Sequence, residues 1–250
     1  MTAPGSLVLC YHAVSETWEH ELSIGPALFE RQLGSLVRRG FHGVSALDAL
    51  DGDRRGLHVT FDDAYTSVAN ALPILERLQI PATVYVCASY ADDGRPLAVP
   101  ELADEAATHP AELATMGWDE LRSIAERGVE IGSHTISHPH LPRLSDAELE
   151  RELRDSKTQI EDELRRPCRV LAYPYGEHDA RASRLAEQAG YEAAYSLASQ
   201  PKAGDNPRFV LPRVDLYRRD GVLLTTMKTS ALRRPAVSVL DFVRRRRGAS

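Results

Sequence analysis

The chain has 250 residues, 43% of them apolar and 26% charged, which suits a soluble globular protein and excludes disordered and fibrous classes. Lys and Arg number 30 against 36 Asp and Glu, and the net charge of −6 is a poor basis for gripping a phosphate backbone, so no nucleic-acid partner is expected. No run approaches the ~20 apolar residues that cross a bilayer, the first residues lack a basic leader, and Cys10, Cys87 and Cys168 are too scattered for a disulfide framework; the expectation is one domain over 1–250 in a cytoplasmic, reducing setting.

Along the chain, short apolar runs alternate with amphipathic ones. Leu7 to Tyr11 reads as a buried strand, and Ala27 to Arg39 as a helix with Phe29, Leu33, Leu36 and Val37 on one face. Leu57 to Phe61 is a strand, Leu72 to Leu78 a helix stopped by Ile80-Pro81, and Ala82 to Cys87 a strand. Trp118 to Arg127 is a helix closed by Gly128, followed by a strand at Val129 to Ile131. Ser145 and Glu148 form a capping box for a helix that runs to about Leu164. Val170 to Tyr173 is a strand, Ala180 to Gln188 a helix, and Ala193 to Leu197 and Phe209 to Leu216 further strands. The C-terminal segment reads as helical and ends in Arg244 to Arg247.

Strand–helix alternation over the whole length predicts an α/β fold: a distorted (β/α) barrel of about seven parallel strands, with an open doubly wound sheet as the alternative. No Gly-x-Gly-x-x-Gly follows the first strand, so a dinucleotide site lacks support. In either architecture the chemistry gathers at the C-terminal ends of strands. Four such ends carry unusual residues: Leu9-Cys10-Tyr11-His12, Thr60-Phe61-Asp62-Asp63, Gly132-Ser133-His134-Thr135-Ile136-Ser137-His138, and Ala172-Tyr173-Pro174-Tyr175-Gly176.

His134 and His138 are four apart, so one helical turn would set both rings on one side, a spacing that suits a divalent metal. Two carboxylates at a strand end repel each other unless a cation takes one of them; the alternative is that Asp62 or Asp63 caps a helix beginning near Ala64. Together, Asp63, His134 and His138 form a two-His, one-carboxylate set that leaves coordination positions open for water and a substrate oxygen. Asp62 is then the base that takes the water's proton, and His12, on another strand end, is of the right type to protonate a leaving amine. Zinc is the default ion; Co2+, Ni2+, Mn2+ or Fe2+ fit the same donors.

These segments resemble the polysaccharide deacetylase family, the NodB-type enzymes grouped as family 4 carbohydrate esterases. Thr60 to Asp63, Ser133 to His138 and Tyr173 to Gly176 are similar to its first three motifs, and the resemblance spans residues 7 to 216. It implies a distorted (β/α) barrel and metal-dependent removal of acetyl groups from N-acetylated sugars, with Asp62 as base and Asp63, His134 and His138 as metal ligands. It also implies the backbone N–H of Tyr175 as an oxyanion donor. Two departures stand out. Many members carry Arg at the start of the third motif, where Ala172 stands; Arg213 is the candidate to brace the base instead. Many carry a Leu-x-His motif near the C-terminus, which is missing here; the N-terminal Cys10-Tyr11-His12 segment resembles the circularly permuted poly-N-acetylglucosamine deacetylases and supplies His12 as the acid.

Tyr11 and Trp118 are candidates for a sugar-stacking wall, with Tyr173 and Pro174 completing the substrate-binding set. His20, His42, His58 and His109 read as surface or satisfied core residues. His140 reads as a loop residue or a support for the ligands, and His178 as a helix-start residue or a substrate contact. The polar stretches Glu16 to Ile24 and Tyr90 to His109 are expected to shape the substrate groove. The arginine run at Arg244 to Arg247 is a solvated tail or a peripheral contact for an anionic membrane surface. The expected partner is an N-acetylated saccharide or glycoconjugate. Two rival readings are a C–N hydrolase acting on a non-sugar amide and a carbohydrate-binding homologue that has lost catalysis.

Overall fold

The computed structural model describes residues 6–51, 53–197 and 206–230. The Arg244 to Arg247 run lies outside these residues. In chain order the elements are β1 (Leu7–Tyr11), β2 (Ala13–Val14), β3 (Ser23–Ile24), α1 (Pro26–Arg38), β4 (His42–Gly43), β5 (Gly56–Phe61), α2 (Leu72–Leu78), β6 (Ala82–Val86), α3 (Ala88–Ala91), α4 (Ala103–Thr108), α5 (Trp118–Glu126), β7 (Glu130–Ser133), α6 (Asp146–Leu164), β8 (Val170–Ala172), α7 (Ala180–Gln188), β9 (Ala193–Leu197), β10 (Leu211–Asp215) and α8 (Val222–Lys228). The Ser145 capping box forms as its sequence predicts, with the Ser145 N–H donating to Glu148 Oε2 at 2.9 Å and Ser145 Oγ accepting from the Glu148 N–H. Such a cap contributes on the order of 1 kcal/mol. Gly128 ends the turn after α5 at φ 90°, a backbone conformation that a Cβ disfavours.

The sheet runs β1-β10-β9-β8-β7-β6-β5, and β5 pairs back to β1 with Leu9 opposite Val59. Seven parallel strands therefore close a barrel, and the two-residue β4 adds to the start of β5. The β5–β1 pairing rules out an open sheet. Both faces of these strands are apolar, as side-chain alternation in a helix-covered barrel requires. On β1, Leu7, Leu9 and Tyr11 join the large apolar cluster with Phe29, Leu33 and Leu36 of α1. Val8 lies on the other face with Tyr85, Val170, Ala172, Ala193 and Tyr195. Gly132 makes this interior possible: a Cβ there would lie 2.5 Å from the Tyr85 ring, its register partner across β6 and β7.

The two polar insertions are more ordered than their composition suggests. They form a second apolar cluster in which Trp18 meets Tyr65, Tyr90, Leu97, Val99, Leu102 and Leu113. The Trp18 indole N–H donates to Glu105 Oε2 at 2.8 Å, tying the first insertion to α4 in the second. The predicted strand at Phe209 to Leu216 is shorter than expected, since Pro207–Phe209 forms a 3-10 turn before β10. No helix among the described residues is long and apolar enough to cross a membrane.

Candidate active site

Two consecutive left-handed residues build the first corner of the site. The Asp62 N–H donates to Tyr11 O at 3.0 Å and extends the β1–β5 ladder by one residue. Asp63 then takes φ 69° and Ala64 φ 51°, so the chain turns sharply where regular alternation would have sent the two carboxylates to opposite faces. Non-glycine residues held there cost on the order of 1 kcal/mol or more each. The helix-capping alternative fails: the next helical turn starts at Thr66 without a side-chain cap.

The second corner corrects an expectation. Residues 134–138 are a loop after β7, not a helical turn, with Thr135 at φ 71° and His138 at φ 60°. The ladder bond from the His134 N–H to Val86 O at 2.8 Å anchors its start. Glu152 of α6, which the sequence reading missed, holds its middle. Its carboxylate accepts from the Ile136 N–H (2.8 Å), the Ser137 N–H (3.1 Å) and the Ser137 hydroxyl (2.7 Å). Thr135 Oγ1 accepts from the His138 N–H at 3.3 Å. This loop brings the two imidazoles to 4.9 Å between ring centres.

Asp63 Oδ1 lies 3.6 Å from His134 Nε2 and 3.4 Å from His138 Nε2, and all three groups are buried. Burial lowers the pKa of each imidazole from 6.5 to about 4, so both are neutral at physiological pH. His134 Nδ1 sits 2.7 Å from Ala172 O, which assigns the proton to that nitrogen and leaves Nε2 as a lone pair facing the carboxylate. Among the described residues, Asp63 Oδ1 has no hydrogen-bond partner. Lone pairs converging on an orphaned buried carboxylate oxygen repel one another without a cation. The donor set therefore fits a divalent ion bound by Asp63, His134 and His138, whose candidate ligand atoms all lie within 4.8 Å of one another.

Asp62 is held differently. Arg213 of β10 donates to both its oxygens, at 2.6 and 2.8 Å, and also to Thr60 Oγ1 at 3.0 Å. Burial alone would raise the Asp62 carboxyl, but the Arg213 guanidinium, with help from His134, holds it well below the usual carboxylate range. The Cys10 thiol donates to Asp62 Oδ2 at 3.4 Å. A His12 ring nitrogen lies within 4.8 Å of Cys10 Sγ and an Asp62 oxygen, and His12 Nδ1 is buried without a hydrogen-bond partner among the described residues. The structure thus brings His12, Asp62, Asp63, His134, His138 and Arg213 to one mouth of the barrel.

The proposed sugar wall is not there. Tyr11 is fully buried on the helix-facing side of β1, where its hydroxyl donates to Gln32 Oε1 at 2.8 Å. Trp118 opens α5, packs into the main core and donates its indole N–H to Asp92 Oδ1 at 2.9 Å. Tyr173 is buried with its hydroxyl on Phe209 O at 3.0 Å, and Pro174 is buried beside it. Apolar payload outweighs a surface role for these residues. Tyr175 is half-exposed at φ 58°, and its ring meets the edge of His138 at 4.5 Å. His178 stacks on Tyr173 at 5.2 Å. His140 stacks on Tyr175 at 4.0 Å and lies within ion-pairing distance of Glu101 and Glu177. Both acids escaped the sequence reading because neither sits in a motif.

Fold and site together define a class: a seven-stranded (β/α) barrel with an Asp-His-His set and a second, arginine-paired aspartate at the C-terminal ends of its strands. Comparison with known proteins carries this to a family. The polysaccharide deacetylase family model matches residues 50–194, more than half of the chain. The chain belongs to the polysaccharide deacetylase family. Among curated proteins it is similar to YxkH of Bacillus subtilis, 23% identical over 215 residues that cover 83% of this chain and 70% of that one. It is also similar to a poly-beta-1,6-N-acetyl-D-glucosamine N-deacetylase of Staphylococcus aureus, 22% identical over 171 residues, covering 64% of this chain but only 54% of the relative. Among solved structures, a Streptococcus pyogenes deacetylase in complex with acetate superposes with a TM-score of 0.74 at 20% identity, covering 92% of this chain and all of the other. IcaB from Ammonifex degensii gives 0.73 at 22%, covering 92% and 98%.

Proposed function

We propose that the protein is a metal-dependent hydrolase that removes N-acetyl groups from an N-acetylhexosamine unit of a saccharide or glycoconjugate. The observation that carries this reading is the pairing of unlike aspartates: Asp62 kept charged by Arg213, and next to it Asp63 with an unpartnered oxygen between two neutral imidazoles. Asp63, His134 and His138 would hold a divalent ion, which would supply Lewis acidity to the amide carbonyl and to the attacking water. Asp62 accepts the proton of the attacking water; Arg213 and Thr60 fix its orientation. His12 delivers a proton to the amine nitrogen as the C–N bond breaks, since an amide leaving group does not depart unprotonated. The backbone N–H of Tyr175 donates to the oxyanion. The names of the relatives support acetylated polysaccharide as the substrate class, and zinc is the ion proposed.

The test combines elemental analysis with acetate release from N-acetylglucosamine oligomers and from non-sugar acetamides. The expected result is one divalent ion per chain and turnover of the saccharides. His134→Ala is expected to lose both ion and turnover. Turnover confined to the non-sugar amides would sink the saccharide reading, and an ion retained by His134→Ala would sink the ligand set.

A further inference from the structure

We propose that Glu101 and His140 are positioning residues that clamp the 90–109 insertion onto Tyr175 and so hold the third motif in its working conformation. The proposal rests on the deacetylase reading and goes beyond it, because neither residue belongs to a motif. Tyr175 sits at φ 58° and ψ 6°, a left-handed backbone that an aromatic residue does not adopt without support. Its ring is fixed on three sides. The edge contact to His138 at 4.5 Å comes from the ligand loop. The His140 ring stacks on it at 4.0 Å and 9°. Its hydroxyl donates to Glu101 Oε2 at 2.9 Å.

The clamp is cross-tied. Glu101 uses its other oxygen on His140 Nε2 at 3.3 Å, while His140 Nδ1 lies 2.9 Å from Glu177 Oε2, two residues after Tyr175. Three segments distant in sequence, at 101, 138–140 and 175–177, therefore meet around one phenol ring. Each contact is partly exposed, with the Glu101 side chain 50% accessible, so each contributes little to global stability. Their joint effect falls on geometry instead. Holding the ring holds the turn that carries the Tyr175 N–H and the surface against which His138 packs. The insertion thereby becomes part of the catalytic apparatus rather than a passive rim.

The experiment uses the full chain as wild type, Glu101→Ala, Glu101→Gln and His140→Ala, read by hydrogen exchange of the 173–178 amides and by acetate release from N-acetylglucosamine oligomers. In Glu101→Ala the 173–178 amides are expected to exchange several-fold faster while those of α6 do not change. In the same variant kcat falls by about tenfold with KM little changed, as for a misplaced rather than a missing group. His140→Ala behaves alike. Glu101→Gln, which keeps an acceptor for the phenol, restores most of both readouts. Unchanged exchange in Glu101→Ala overturns the clamp, as does a loss in Glu101→Gln as deep as in Glu101→Ala. A wild-type chain that releases no acetate overturns the deacetylase reading instead, and the exchange data then decide the clamp alone.

Discussion

The mouth and the floor of the barrel each bury a histidine, and both imidazoles are pushed down to about 4 by burial. At the floor, His58 Nδ1 meets Val44 O and Nε2 meets Thr83 Oγ1, both at 2.9 Å, and Thr83 Oγ1 lies 2.9 Å from Glu130 Oε2. A cavity of about 340 Å³ is lined in part by His58 and Glu130. At the mouth, one nitrogen of His134 is satisfied by Ala172 O and the other faces an orphaned carboxylate oxygen. A depressed pKa and a cavity are thus compatible with plain structure. What distinguishes the mouth is a buried carboxylate oxygen left unpaired between two neutral imidazoles.

That contrast can be broken at three points. The largest effect is expected for Asp62→Asn, which removes the proposed base and keeps the shape: kcat falls by roughly a thousandfold while metal content stays at the wild-type level. Turnover within tenfold of wild type would place the base elsewhere. Next comes His58→Gln at the floor. Because the folded His58 pKa is lowered, the unfolded state binds its proton first as pH falls, so stability is intact above about 6.5 and is lost progressively toward 4. The wild type should lose about 3 kcal/mol across that window on account of this residue. His58→Gln should lack that share of the slope and keep its metal and its turnover. Denaturant melts at several pH values read this out, and identical slopes in both chains would show that His58 does not carry it. The smallest effect is expected for Trp118→Phe, which forfeits the bond to Asp92 for about 1 kcal/mol. Its KM should match wild type; a raised KM would return Trp118 to the substrate groove.

Much of the scaffold was legible because it is locally encoded. β1, α2, α7 and β9 fall on the residues that hydrophobic period and end signals indicate, and the Ser145 box marks the start of α6. The convergence of Asp62, Asp63, His134 and His138 was legible from strand-end placement, and that of His12 from strand-end placement together with the family resemblance. The rest depends on contacts that no short window contains. The 134–138 loop looks helical by spacing, yet Glu152 and the Thr135 side chain hold it in left-handed turns. Tyr11 and Trp118 carry the same side-chain types whether they stack on sugar or fill a core, and only the position of α1 and the insertions decides between them. Glu101 acts on a residue 74 positions away, and the insertion that bears it has no periodicity to read.

The partnership between Asp62 and Arg213 spans 151 positions, with β1 lying between the strands that bear them. During synthesis, the amino-terminal two-thirds of the protein can emerge and collapse while the carboxylate still lacks its cationic mate. Only when β10 slots in beside β1 does Asp62 acquire the neighbour that keeps it charged. Sealing of the ring and pairing of Asp62 with Arg213 are one event, so a polypeptide that ends before β10 lacks the pair.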